Sequence, residues 1–108
     1  MDLVNKVVFV VVNAGFTDEA LDIIREAGAT GATIISGRGS TKDAVNLLGI
    51  SIEPEKEIIV SLASEATAKN IVSLIQQEVG AKTNANGVCF IMPVEKTTFI
   101  NKIEAVKE

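Results

Sequence analysis

Two stretches constrain this chain more than any others: residues 6–13, KVVFVVVN, and 57–62, EIIVSL. In the first, Val7, Val8, Phe9, Val10, Val11 and Val12 succeed one another without a polar break. Successive side chains of a strand point to opposite faces, so such a run is apolar on both. The first therefore reads as a strand in the middle of a sheet, and the second as a strand. The residues after each are also alike. After the first, AGF breaks the run and Thr17 stands where a helix cap is needed. Asp18 and Glu19 fall in the first turn, where the helix dipole favours acid, and Ala20, Leu21, Ile24 and Ala27 share one face. Gly28 suits the stop, and ATIIS, 32–36, reads as a second strand. After the second stretch, Ser64 caps a helix with Ala68, Ile71, Val72, Ile75 and Val79 on one face. Gly80 ends it, and AKTNANG leads into a strand over 88–94, VCFIMPV.

The order is β-α-β, a long connection, then β-α-β. Two split βαβ units predict one α+β domain over 1–108, a ferredoxin-like βαββαβ sandwich. Its four-stranded antiparallel sheet would carry both helices on one face. The other face, also apolar, would be a large exposed patch, which marks an interface. The expectation is an oligomer that buries it; the alternative is that the tail, 95–108, folds over it. A core this small gains from oligomerisation.

Composition removes several function classes. The net charge is −4 and no basic face is evident, which argues against a nucleic-acid partner. No apolar run approaches the roughly 18 residues of a membrane span, and no charged n-region precedes the first apolar run, so the expected place is the cytoplasm. With no His, Tyr or Trp, the chain lacks imidazole and phenol acid–base groups. One cysteine, Cys89, allows no internal disulfide and reads as a buried, inert thiol. A metal site has little to build from, and no set of lysines and carboxylates converges, so the chain is not expected to be an enzyme. Glu53, Glu55 and Glu57 alternate, which suits a solvated strand edge or a divalent cation.

The connection over 39–56, GSTKDAVNLLGISIEPEK, far exceeds the roughly 2–5 residues common between hairpin strands. It carries Val45, Leu47, Leu48, Ile50 and Ile52, with a helical turn expected over 43–48 that puts Val45 and Leu48 on one side. These apolar residues either pack on their own assembly or dock a partner. Before the loop, Gly37-Arg38-Gly39 offers a nest of backbone N–H groups with a cation in it, or merely a bulge or turn. The Asn-Gly of TNANG is likewise a turn signal that is compatible with anion binding through the backbone.

Three stretches, GATGATIISGRGS (28–40), PEKEIIVSL (54–62) and NANGVCFIMPVE (84–95), together resemble the PII and PII-like nitrogen-regulatory signalling proteins, over nearly the whole chain. The resemblance implies a ferredoxin-like homotrimer whose sheets face the three-fold axis. It implies adenine nucleotides such as ATP, ADP or AMP as effectors in inter-subunit clefts, with no required cofactor. It also implies a T-loop, here about 40–55, that docks on a transporter or enzyme, a phosphate-holding B-loop, about 81–87, and a C-terminal tail, 96–108. Thr30 and Thr33 match threonines near the adenine. Gly39, or Gly37 if the alignment slips by two, matches the glycine at the T-loop base, and Arg38 lies between them. Asn86 stands at an acidic B-loop position, Gly87 matches its last glycine, and Pro54 matches the proline that re-enters the third strand. The departures are cationic. Val88 replaces a lysine, Phe99 and Asn101 replace two arginines, and the shortened T-loop has no tyrosine to be uridylylated. A charge-assisted phosphate contact is worth about 1.5–3 kcal/mol, so losing three weakens triphosphate binding by several orders of magnitude. Arg38, Lys42 and Lys82 remain to replace some of that charge, and a less charged nucleotide needs less. The candidate nucleotide residues are thus Thr30, Thr33, Gly37, Arg38, Gly39, Asn86, Gly87 and Val88, and the candidate docking residues Val45, Leu47, Leu48 and Ile50. The other reading is an oligomeric interaction module whose nucleotide site has decayed and whose loop docks constitutively.

Overall fold

The computed structural model describes residues 3–39, 45–47, 50–52 and 54–99, the second and third of these as backbone only. Lys42, Asp43, Leu48, Glu53, Asn101 and the tail from residue 100 onward lie outside the described residues. The elements, in chain order, are β1 (Val4–Asn13), α1 (Thr17–Glu26), β2 (Thr33–Arg38), β3 (Val45–Leu47), β4 (Ile50–Ile52), β5 (Glu55–Ser64), α2 (Glu65–Val79) and β6 (Val88–Pro93). The main sheet runs β2-β5-β1-β6, every neighbouring pair antiparallel. That is the expected ferredoxin-like arrangement.

Alternation along β1 divides the two faces. Val8, Val10 and Val12 are buried with Ile59 and Ala63 of β5 against Ala20, Ile23 and Ile24 of α1 and Ala68, Ile71, Ile75 and Val79 of α2. On the opposite face, the register sets Phe9 between Val60 and Phe90, Val11 between Ile58 and Val88, and Val7 between Leu62 and Met92. No described helix covers this side. Val88, Phe90, Met92 and Ile35 are each about half exposed there, and the Phe9 and Phe90 rings stack at 5.0 Å.

The helix ends agree with the sequence, with one exception. Ser64 caps α2, its hydroxyl accepting from Thr67 N at 3.2 Å. α1 ends in a Schellman motif: Gly28, at φ +111°, donates to Arg25 O and Ala29 N donates to Ile24 O. Thr17, however, is not the cap. Phe16 holds that position with no side-chain bond, and the Thr17 hydroxyl donates instead to Glu57 Oε1 at 2.6 Å, tying α1 to β5. The helix takes in Thr17 as its first residue, so its side chain is not in the cap position, and its O–H is left to donate to the carboxylate that β5 brings beside it.

Other expectations are corrected. β2 extends past Ser36 through Gly37 and Arg38, which pair with Lys56 and Glu55. These residues stay extended, so they form no nest, and the chain does not turn there. β5 lies between β2 and β1, so Glu55 and Glu57 stand on an interior strand and not on a sheet edge. No group of metal-ligating side chains occurs among the described residues. Val45–Leu47 is a strand paired with Ile50–Ile52, Val45 opposite Ile52 and Leu47 opposite Ile50, where a helical turn was expected. Alternation of apolar residues with Asn46 and Ser51 is a period of two, which suits strands.

The core argument gives a direct check. Ile71 is fully buried between α2 and the sheet. Ile71→Ala is expected to cost about 2–5 kcal/mol in chemical denaturation, with an unchanged m-value.

Candidate functional site

The chain gathers its loops at one end of the sheet, where β1 ends at Asn13 and β5 begins at Glu55. Asn13 is a junction. Its backbone N–H donates to Ala85 O at 2.8 Å, and its side-chain Nδ2 donates to Asn84 O at 2.9 Å. Its Oδ1 accepts from Lys56 Nζ at 2.5 Å. The Asn86 side-chain amide is satisfied at both atoms when its nitrogen donates to Ala81 O at 3.2 Å and its oxygen accepts from Lys56 Nζ at 3.3 Å. Asn13 and Lys56 thus clamp the segment between α2 and β6 onto the sheet.

That segment is tied internally as well. Thr83 N and Oγ1 both donate to Gly80 O, Asn86 N donates to Thr83 O, and Gly87 N donates to Val79 O at 2.8 Å. Asn86 takes a positive φ of 49°, which asparagine tolerates better than most residues. The Asn-Gly pair is not a two-residue hairpin, because a helix and not a strand precedes it. Glycine at 87 answers to close approach. A Cβ there would lie 2.1 Å from Val79 O.

Beside the clamp is the neck of the long loop. Gly39 N donates to Pro54 O at 3.0 Å, one step beyond the Arg38 and Glu55 pair. A Cβ on Gly39 would lie 2.6 Å from Lys56 Cε, so this glycine makes room for the lysine stem. A cleft of about 490 Å³ opens here, with Ser36, Gly37, Arg38, Glu55, Lys56 and Glu57 in its wall. By the register Arg38, Glu55 and Glu57 carry their side chains to the helix side of the sheet, whereas Lys56 carries its own to the other face, toward Asn13.

Of the candidate residues, Gly37, Arg38, Gly39, Asn86 and Gly87 come together at this end. Thr30 and Thr33 do not. They border a second cleft of about 450 Å³ with Val60, Leu62 and Phe99. Thr33 and Gly37 are four residues apart on β2, roughly 13 Å at strand spacing. Val88 opens β6 on the exposed apolar face, opposite Val11. Phe99, at the position where the resemblance has an arginine, is a wall of the second cleft. Sequence reading missed Asn13 and Lys56. The signal was there in the alternation: each ends an apolar face, Asn13 after Val7, Phe9 and Val11, and Lys56 before Ile58, Val60 and Leu62. Only the pairing of Asn13 with Lys56 puts the two together.

Cys89 lies on the helix side of β6, half-buried against the core. Burial pushes its thiol from 9.0 up to about 11, which leaves almost no thiolate near neutrality. The inert-thiol reading agrees with this.

The model of the family described as nitrogen regulatory protein P-II matches residues 5–104. The chain belongs to the P-II family. No curated protein matches it in sequence. Solved structures match in fold. A PII-like signaling protein from Thermus thermophilus is 23% identical with a TM-score of 0.66, over 87% of this chain and 91% of that one. CPII, a nitrogen regulatory PII-like protein from Thiomonas intermedia K12, bound to ADP, AMP and bicarbonate, is 18% identical with a TM-score of 0.68, over 89% and 96%. GlnK of B. subtilis, in complex with ATP, is 12% identical with a TM-score of 0.63, over 84% of each chain. At these identities the match is one of fold.

Gly87 separates packing from binding. Gly87→Ala drives a Cβ into the Val79 carbonyl, and the backbone must shift to admit it. Expected is a loss of about 1–3 kcal/mol of stability in thermal or chemical denaturation without any ligand present.

Proposed function

We propose that this chain is a non-enzymatic, cytoplasmic P-II-type signal transducer, with its T-loop at about 40–55 and its B-loop at about 81–87. It binds a low-charge adenine nucleotide, AMP or ADP in preference to ATP, and regulates a partner protein through the T-loop. The observation that carries this is that the neck of the long loop, Gly39 and Pro54, and the clamped segment 81–87 meet at one end of the sheet, both beside Lys56 and Asn13. CPII was solved with ADP and AMP and GlnK with ATP, which supports a nucleotide as the ligand class. The preference for fewer phosphates rests on this chain's own charges. Val88, Phe99 and Asn101 occupy three positions where the family pattern has cations, and Arg38 stands opposite the carboxylate of Glu55.

The assembly we propose is a homotrimer that buries the helix-free face of the sheet. The side chains of that face, from Val7 to Met92, are apolar along three neighbouring strands, and a patch of this kind in water calls for a cover. Trimerisation would also bring Thr30 and Thr33 of one subunit toward the T-loop neck of another, as inter-subunit nucleotide sites require. The T-loop hairpin, Val45–Leu47 with Ile50–Ile52, would then be the part that meets a partner, with Leu48 between its strands. The effector acts by preferring one arrangement of that loop, since a ligand shifts only the equilibrium between states it binds unequally.

One titration tests the ligand. By calorimetry, AMP and ADP are expected to bind in the micromolar range, and ATP no more tightly, with or without Mg²⁺. Failure of all three on a folded oligomer would favour the interaction module with a decayed site, which the lost cations also suit. The assembly has its own test. Phe90→Asp places a charge in the stacked Phe9 and Phe90 pair, and sedimentation is expected to show the trimer falling to monomer at micromolar concentration. A wild-type monomer would remove the inter-subunit site altogether.

A further inference from the structure

Lys56 is the one buried lysine among the described residues, at 8% exposure, and the next residues of β5 on its face, Ile58, Val60 and Leu62, are apolar. A buried ammonium ordinarily lies against a carboxylate, because the cost of removing it from water is otherwise uncompensated. Among the described residues none pairs with it; the ion pairs are Arg25 with Asp22 and Lys69 with Glu65, both on exposed helix surface. Its partners are the neutral amide oxygens of Asn13 and Asn86. A lysine ammonium has three N–H donors, so one is left over by its described partners. The two amides fix where the ammonium sits, and no described carboxylate neutralises its charge. Glycine at 39 matters to the same point. Any side chain there would press on Cε, the carbon that bears the ammonium.

We infer that Lys56 is the cation that holds the ligand's phosphate, its free N–H donating to a phosphate oxygen. This deepens the nucleotide reading and rests on it for the nucleotide part. The chemistry on the page is that of an oxyanion meeting a preset, partly desolvated ammonium, where a charge-assisted bond is strong. It places the phosphate between the T-loop neck and the B-loop, and it gives this chain a positive group that replaces part of what Val88, Phe99 and Asn101 do not supply. A strut that merely ties the B-loop to β1 would account for the two amide bonds, but it would not need a charge.

The experiment tracks the Lys56 Cε–Hε signal in lysine-labelled full-length protein, assigned by its absence in Lys56→Arg. The probes are AMP, ADP, inorganic phosphate and adenosine, with affinities taken by calorimetry on the wild type and on Lys56→Gln. Expected is a shift of the Lys56 signal with the three phosphates and none with adenosine, and a loss of about 10- to 100-fold in AMP and ADP affinity in Lys56→Gln. If AMP and ADP bind while the Lys56 signal stays still, the inference is overturned and the nucleotide reading stands. That holds even if Lys56→Gln binds weakly, since a strut would act so. If inorganic phosphate moves the signal but neither nucleotide binds, the anion site stands and the nucleotide reading falls. If neither nucleotide binds and nothing moves the signal, both fall. The wild-type signal decides the matter even if Lys56→Gln does not fold.

Discussion

β1 is the element on which the rest depends. It is paired along both edges, to β5 over nearly its whole length and to β6 over its middle. A strand so placed has no solvent edge and can be apolar on both faces, and VVFVVV uses both. Val8, Val10 and Val12 hold the helices. Val7, Phe9 and Val11 make the floor of the opposite face. At its end, Asn13 stops the apolar run and takes three hydrogen bonds that bring β5 and the B-loop to the same point. Burial thus fixes the position of the site: the core orients the strand, and the strand delivers Asn13.

What could be read from the sequence was what depends on local period and local caps. The two apolar runs, the helix faces, Ser64 and Gly28 all speak through neighbours within a few residues, and the structure has them where they were expected. What could not be read depends on register. Asn13 and Lys56 are 43 residues apart and are unremarkable until β1 and β5 pair. Thr17 is a good cap by type, but the helix starts one residue earlier than its type suggests, with Phe16 at the cap position, and the fold brings Glu57 to accept from its hydroxyl. The glycines near residue 38 had two meanings in the sequence, and tertiary contact selected a third. Gly39 leaves room for a lysine stem from another strand. Resemblance supplied the family, and with it the nucleotide and the loops; alternation alone would have stopped at a ferredoxin-like sheet with an unexplained face.

The electrostatics of the site come from the same geometry. Arg38 and Glu55 face each other across β2 and β5 in the open, where water screens them. Lys56, one residue further in, is under Gly39 and behind two amides. The two cations therefore stand on opposite faces of the sheet end, Arg38 beside a carboxylate and Lys56 beside two amides. On the function proposed above, Lys56 is the cation a phosphate would meet, and a single cation would suit a ligand of low charge better than a triphosphate.

The neck of the T-loop is where such a ligand would be felt. The loop leaves the sheet at Gly39 and returns at Pro54, joined among the described residues by one backbone hydrogen bond beyond the Arg38 and Glu55 pair. Lys56 is two residues from Pro54 on the returning strand, and its stem underlies Gly39 on the leaving one. On the proposed reading, an adjustment of the ammonium toward a phosphate would move a stem that lies against Gly39, whose N–H holds the Pro54 carbonyl. The B-loop end is held by Asn13 and by the Gly87 to Val79 bond, both anchored in the core. With the B-loop end fixed and the neck resting on the Gly39 to Pro54 bond, the free energy of binding is best able to act on the T-loop.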